Sequence, residues 1–259
     1  MLPISYQLPL VVLSFIVATL ASYVALDVAG RIVPGDRGGA RWLWVIIAGA
    51  ALGGGIWSMH FIAMLALQLP VAVWYQVPQV VVSALVAVLA AAVALGIATG
   101  SQGVRQVRMI PSAIAMGGAV AGMHYIGMAA MRGPFFIQYN MRYVWISVAI
   151  AVVASYAALW LMATAPVGLE GAALTGRRCI AAIVMGIAVS GMHYTGMYAA
   201  GFCGISSRFL DSAGSLETSV LAVSIALMTV VLLAIGLAAA AVDRLGKLEG
   251  ISSRTSQSS

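Results

Sequence analysis

The chain has 259 residues, a formal net charge of +6, 63% hydrophobic residues and only 8% charged ones. Soluble chains carry roughly 25% charged residues, and several runs here exceed the ~18 apolar residues read as a membrane span, so composition excludes a soluble domain. The basic residues fall in short segments beside those runs, with no Lys/Arg cluster interleaved with aromatics. That excludes a nucleic-acid surface and leaves a topology signal.

Seven apolar segments are predicted to span the membrane, at 8–29, 42–68, 77–99, 110–131, 143–165, 179–203 and 218–241. No Lys or Arg precedes the first, so it is expected to be a retained helix rather than a cleaved signal peptide. Cys179 and Cys203 fall at opposite ends of the predicted sixth span, roughly 36 Å apart along it, too far to be bridged. Gly53-Gly54-Gly55, Gly117-Gly118 and Gly186 are read as close-packing positions of a central bundle. Asp27 and Arg31, near the end of the first span, are expected to form an interfacial ion pair.

Charge sets the orientation. Arg31, Arg37, Arg41, Arg105, Arg108, Arg177, Arg178, Arg244, Lys247 and Arg254 belong to one face, ten of the thirteen basic residues. Arg132, Arg142 and Arg208 belong to the other. The positive-inside rule places the amino terminus outside and the carboxy terminus in the cytoplasm. Residues 1–242 form the membrane domain; 243–259 form a polar cytoplasmic tail, Ser-rich from Ser252 onward and expected to be disordered.

A seven-residue motif occurs three times: Ser58-Met59-His60-Phe61-Ile62-Ala63-Met64, Gly122-Met123-His124-Tyr125-Ile126-Gly127-Met128 and Gly191-Met192-His193-Tyr194-Thr195-Gly196-Met197. These hold all three histidines of the chain, 64 and 69 residues apart. Each interval equals two spans plus two loops. The expected fold is therefore an all-α membrane protein of seven transmembrane helices: three two-helix repeats in pseudo-threefold arrangement plus a final helix. The three motif helices then run parallel and bring their histidines to one depth in the outer half of the bilayer.

On a helix, His60 and Met64 share a face, as do His124 with Met128 and His193 with Met197; Met59, Met123 and Met192 sit on the flank. Imidazole with thioether suits soft or borderline metals, and thioether sulfur selects Cu(I). Copper is placed first, zinc second and haem, through His/Met axial ligation, third. No carboxylate lies in the outer half of a motif helix, which argues against magnesium, calcium or manganese. Packing alone accounts for single methionines and buried histidines, but not for three copies in register inside a bilayer. Tyr125, Tyr194 and Phe61, next to the histidines, are read either as groups that stand behind the ligands of such a site and tune it, a tyrosine by hydrogen-bonding a ligand, or as aromatic-belt residues. The chain shows no catalytic triad, phosphate-binding glycine loop or paired carboxylates, so it is not expected to be an enzyme.

Met123-His124-Tyr125 and Met192-His193-Tyr194-Thr195, in a seven-span chain with threefold repetition, resemble the MHYT domain of bacterial membrane sensors. The resemblance covers about residues 8–241; only the third copy carries the full Met-His-Tyr-Thr string. It implies a sensor in the bacterial cytoplasmic membrane. Such a sensor would bind copper through the Met and His of each motif and detect oxygen, nitric oxide or carbon monoxide, or a redox state. It also implies cyclic-di-GMP or kinase output, here through a partner protein or a domain removed after span seven. A second copy of the chain is a compatible partner besides lipid. The alternative is a copper or other metal transporter, for which Met109, Met116 and Met185 would line an inner path; a structural scaffold stands third.

Overall fold

A computed structural model describes residues 1–32, 39–98, 105–163, 171–204, 215–216, 219–231, 234–236 and 238. The tail 243–259 and basic residues Arg37, Arg208, Arg244, Lys247 and Arg254 lie outside the described residues.

Among the described residues seven helices are long and apolar enough to cross a membrane: α1 (Leu8–Ala29), α2 (Gly39–Ala66), α3 (Val77–Ala98), α4 (Arg105–Ala130), α5 (Met141–Ala163), α6 (Gly171–Tyr198) and α7 (Ser219–Gly236). Prolines sit where a helix tolerates them, in the first turn of α1 and at the second residue of α3, because a missing N–H there breaks no intrahelical bond. Pro111 is inside α4, in its second turn.

Helices α1 to α6 form a closed ring, each packed on its neighbour in sequence and α6 on α1. The motif helices α2, α4 and α6 also touch one another at the centre. Their apolar windows are 83, 56 and 50% buried, against 33, 33 and 28% for α1, α3 and α5, so the motif helices form the inner layer. Helix α7 is peripheral, with Leu221 and Ile225 the only fully buried large side chains among its described residues.

Small residues let the layers close. A Cβ at Gly53 would fall 2.4 Å from the Ala87 carbonyl oxygen of α3, and one at Gly117 would fall 2.5 Å from Val152 Cα of α5. Gly186 meets Thr19 of α1 in the same way, whereas Gly118 faces open space. In lipid, where apolar area gives little drive for helix association, such close approach is a main source of packing energy.

Short strands fasten the helix ends on one face: β1 (Ser5–Tyr6), β2 (Leu67–Gln68), β3 (Trp74–Gln76), β4 (Met131–Arg132), β5 (Phe135–Tyr139), β6 (Ala200–Gly204) and β7 (Ser215–Leu216). β1 pairs with β2, β3 lies between β4 and β7, and β5 runs antiparallel to β6 from Phe135↔Gly204 to Tyr139↔Ala200. These connections satisfy backbone groups that end helices would otherwise leave open.

Hydropathy places the sixth span at 179–203, but α6 runs Gly171–Tyr198. Ala200–Gly204 is short-strand backbone because it pairs with β5. Cys203 is therefore on β6, not on the helix that carries Cys179, and both thiols are free. Arg177 and Arg178, expected in a loop, lie within α6. On the face opposite the strands the Asp27 carboxylate accepts from Arg31 Nη2 at 3.0 Å, the expected pair, and also from Arg178 Nη1 at 2.5 Å. The second bond joins α1 to α6, where the ring closes.

Candidate metal centre

The three motifs converge. His60, His124 and His193 are fully buried, and their Nδ1 atoms form a triangle with sides of 3.0, 3.2 and 3.2 Å. Neighbouring rings stand nearly perpendicular, with centroids 5.0 Å apart. Each Nε2 is buried without a hydrogen-bond partner. Two point at glycine on the next motif helix: a Cβ at Gly127 would lie 2.3 Å from His60 Nε2, and one at Gly196 would lie 2.4 Å from His124 Nε2. The first copy carries Ala63 at the corresponding position.

Proton bookkeeping makes this triangle informative. A protonated Nδ1 donates and cannot accept. Among three neutral rings, one Nδ1–H leaves the other two lone pairs opposed, and two such protons oppose each other. With all three protons on Nε2, three lone pairs converge on one point, which a cation there would satisfy. The centre of a triangle of side ~3.1 Å lies about 1.8 Å from each corner (side divided by √3), near the roughly 2.0–2.1 Å of a metal–imidazole bond. The residues therefore fit a metal ion.

All six motif methionines are buried with the histidines: Met59, Met64, Met123, Met128, Met192 and Met197 are each at most 1% exposed. Tyr125, Tyr194 and Phe61 each set a ring edge-on to the adjacent histidine, at 4.7, 4.9 and 4.8 Å.

Around this centre lies a layer that the histidine spacing alone does not expose. Tyr125 donates to Ser147 Oγ of α5 at 2.7 Å, and Tyr194 to Ser14 Oγ of α1 at 3.1 Å. The direction follows because each serine spends its own proton on the carbonyl three residues back, Val144 and Val11. In the first sector Phe61 has no hydroxyl, and Trp57 Nε1 donates to Ser83 Oγ of α3 instead, at 3.1 Å. A tyrosine from the strand face then stands over each post-histidine ring: Tyr6 on Tyr194, Tyr75 on Phe61 and Tyr139 on Tyr125. Tyr6, Tyr75 and Tyr139 are spaced by 69 and 64 residues, as are Ser14, Ser83 and Ser147. A tyrosine followed by a serine eight residues later, repeated in the same register, is the signal that would have found them.

These contacts define the repeat. Each unit is a motif helix plus the helix after it, and α6 completes its unit with α1 rather than α7. Fold and site together define a multi-pass membrane protein built as a pseudo-threefold ring around a buried three-histidine centre.

The chain belongs to the MHYT family: the family model described as a bacterial signalling protein N-terminal repeat matches residues 1–38, 53–110 and 117–176. The second and third segments each begin in a motif helix and run through the helix after it, the unit that the contacts define. The bifunctional diguanylate cyclase/cyclic di-GMP phosphodiesterase MucR of Pseudomonas aeruginosa is 41% identical over 238 residues, 90% of this chain and 34% of that protein. The signaling protein YkoW of Bacillus subtilis is 32% identical, covering 77% of this chain and 24% of its own length. The cyclic di-GMP phosphodiesterase NbdA of P. aeruginosa is 36% identical, covering 75% and 24%. The chain thus spans about a third or less of these relatives. No solved structure matches it. The family and these relatives give the chain a membrane signalling role.

Proposed function

We propose that this chain is a metal-dependent membrane sensor in which His60, His124 and His193 hold one copper ion through Nδ1. The observation that carries the reading is the triangle of convergent, fully buried Nδ1 atoms. Met59, Met64, Met123, Met128, Met192 and Met197 supply a thioether environment that favours the cuprous state. Charge favours it too. Asp27 is the one acidic side chain among the described residues, and it is engaged with Arg31 and Arg178 on the opposite face. An ion bound by three neutral rings has no counter-charge among the described residues, and the cost of burying charge rises steeply with its magnitude, so a monovalent cation is preferred over zinc.

Bound copper would supply reversible one-electron chemistry and an affinity for oxygen, nitric oxide or carbon monoxide. The protein's part is to fix three rings and couple their positions to the outer helices. Tyr125 and Tyr194 make that link, because each lies beside its histidine in sequence and is hydrogen-bonded to α5 or α1. A ligand shifts such an assembly only by binding one arrangement more tightly than another. We assign the amino terminus to the outside of a bacterial cytoplasmic membrane, which puts the strand face outward. The basic face and the segment after α7 would then meet a cytoplasmic cyclic-di-GMP or kinase output, in the same polypeptide or in a partner.

A transporter reading would need a path through the other half of the bundle. Met116 and Met185 do line an axial cavity there, with Leu52, Leu95 and Leu159, but it is only ≈10 Å³ in volume. That favours a sensor. The test is reconstitution in liposomes enclosing a copper-responsive dye, with spectra recorded under oxygen, nitric oxide and carbon monoxide. Gas-dependent spectra without copper flux support the sensor; histidine-dependent flux with no gas response sinks it.

A further inference from the structure

We propose that the metal centre is loaded through a port on the strand face, where Met64 and Met131 form a thioether pair that receives a cuprous ion. The inference rests on the metal-centre reading and names the path to it.

A cavity of ≈300 Å³ opens on the strand face beneath the segment joining β2 to β3. Met64, Tyr75 and Met131 line it and are 1, 2 and 3% exposed, while Gln68 and Val71 stand at its more accessible side. Met64 lies one turn beyond His60 on α2, a rise of about 6 Å, so its side chain belongs both to the motif and to the cavity wall. The Tyr75 hydroxyl has no hydrogen-bond partner among the described residues. With the Gln68 amide it offers oxygen to an ion shedding its water.

The cavity falls where the threefold pattern breaks. The first copy has Phe61 where the others have tyrosine, and Ala63 where they have glycine. Met131 stands at a repeat position held by Leu67 and Ala200 in the other units, so its sulfur has no counterpart. Two thioethers select a soft cation. Direction follows from the cavities among the described residues. A cation does not cross the apolar lipid-facing wall, and the axial cavity on the opposite side has space for about one water.

Loading kinetics of the purified full chain test this, with Ag(I) as a redox-silent soft probe and Cu(I) under anaerobic reducing conditions. Met131→Leu removes the sulfur and keeps the volume; Val71→Trp fills the cavity from its rim. Both should slow loading about tenfold, as expected for a lost handover ligand or a blocked path, with final stoichiometry unchanged. Leu89→Trp on the exposed face of α3 should load like the parent chain. Parent-like rates in both cavity variants would overturn the port, as would a loss of final stoichiometry in Met131→Leu, which would make Met131 a ligand of the centre itself. A parent chain that takes up neither metal would instead overturn the centre, and the port with it.

Discussion

A single methyl group at Gly196 or Gly127 tests the ring arrangement. In Gly196→Ala the new Cβ would fall 2.4 Å from His124 Nε2, and in Gly127→Ala 2.3 Å from His60 Nε2. Ordinary contact begins at 3.4 Å, so each ring must retreat by about 1 Å. Imidazole is rigid, and Nδ1 moves with it well beyond the roughly ±0.2 Å that a ligand bond tolerates. Overpacking of this kind costs about 1–3 kcal/mol, which, taken from binding, is about fivefold to 150-fold in metal affinity. Competition titration against a chelator measures that loss, and thermal unfolding of the same samples separates it from a failure to fold. Ala63→Gly should leave affinity unchanged, since it removes bulk rather than adding it. If both alanine variants fold and bind metal like the parent chain, the rings do not turn Nε2 toward these glycines and the argument for convergent Nδ1 atoms fails.

Tyr194→Phe and Ser14→Ala should each lower stability by about 1 kcal/mol. Their double-mutant cycle should give a coupling near 0.6 kcal/mol in detergent or lipid, with metal content retained. The Tyr125–Ser147 pair should behave alike, and zero coupling in both would remove the proposed link from the centre to α1 and α5. Asp27→Ala leaves Arg31 and Arg178 facing each other across the α1–α6 seam; at their partial exposure the expected loss is about 1–2 kcal/mol by thermal unfolding, with metal affinity unaffected. Burial first, and Tyr125 beside it second, push the Tyr139 phenol up to about 12 from 10. Its raised folded value means the neutral form is favoured by folding, so this contribution is intact below pH 10 and lost as pH rises from 10 to 12. Phenolate absorbance of Tyr139→Phe against the parent chain checks the assignment.

Much of this architecture was legible because membrane physics narrows the choices. Apolar length gave seven spans, and the 64/69 histidine spacing gave three motif helices that meet at one place. The strands were not legible: Ala200–Gly204 and Phe135–Tyr139 are as apolar as the helices they follow, and only their mutual pairing makes them extended. The serine layer was hidden for another reason. Serine is unremarked in membrane helices, and Ser14, Ser83 and Ser147 gain meaning only beside Tyr194, Trp57 and Tyr125, contacts made across the ring. Closure of α6 onto α1 was also out of reach of hydropathy, which orders the spans along the chain but does not say which distant pair closes the ring.

The metal content of the protein as purified is the most direct measure of this site, taken by elemental mass spectrometry on the parent chain and on a variant with His60, His124 and His193 all replaced by alanine. One copper per chain in the parent and none in a folded variant is the predicted result. Copper retained by the folded triple variant, or a parent chain carrying stoichiometric zinc or iron and no copper, would contradict it.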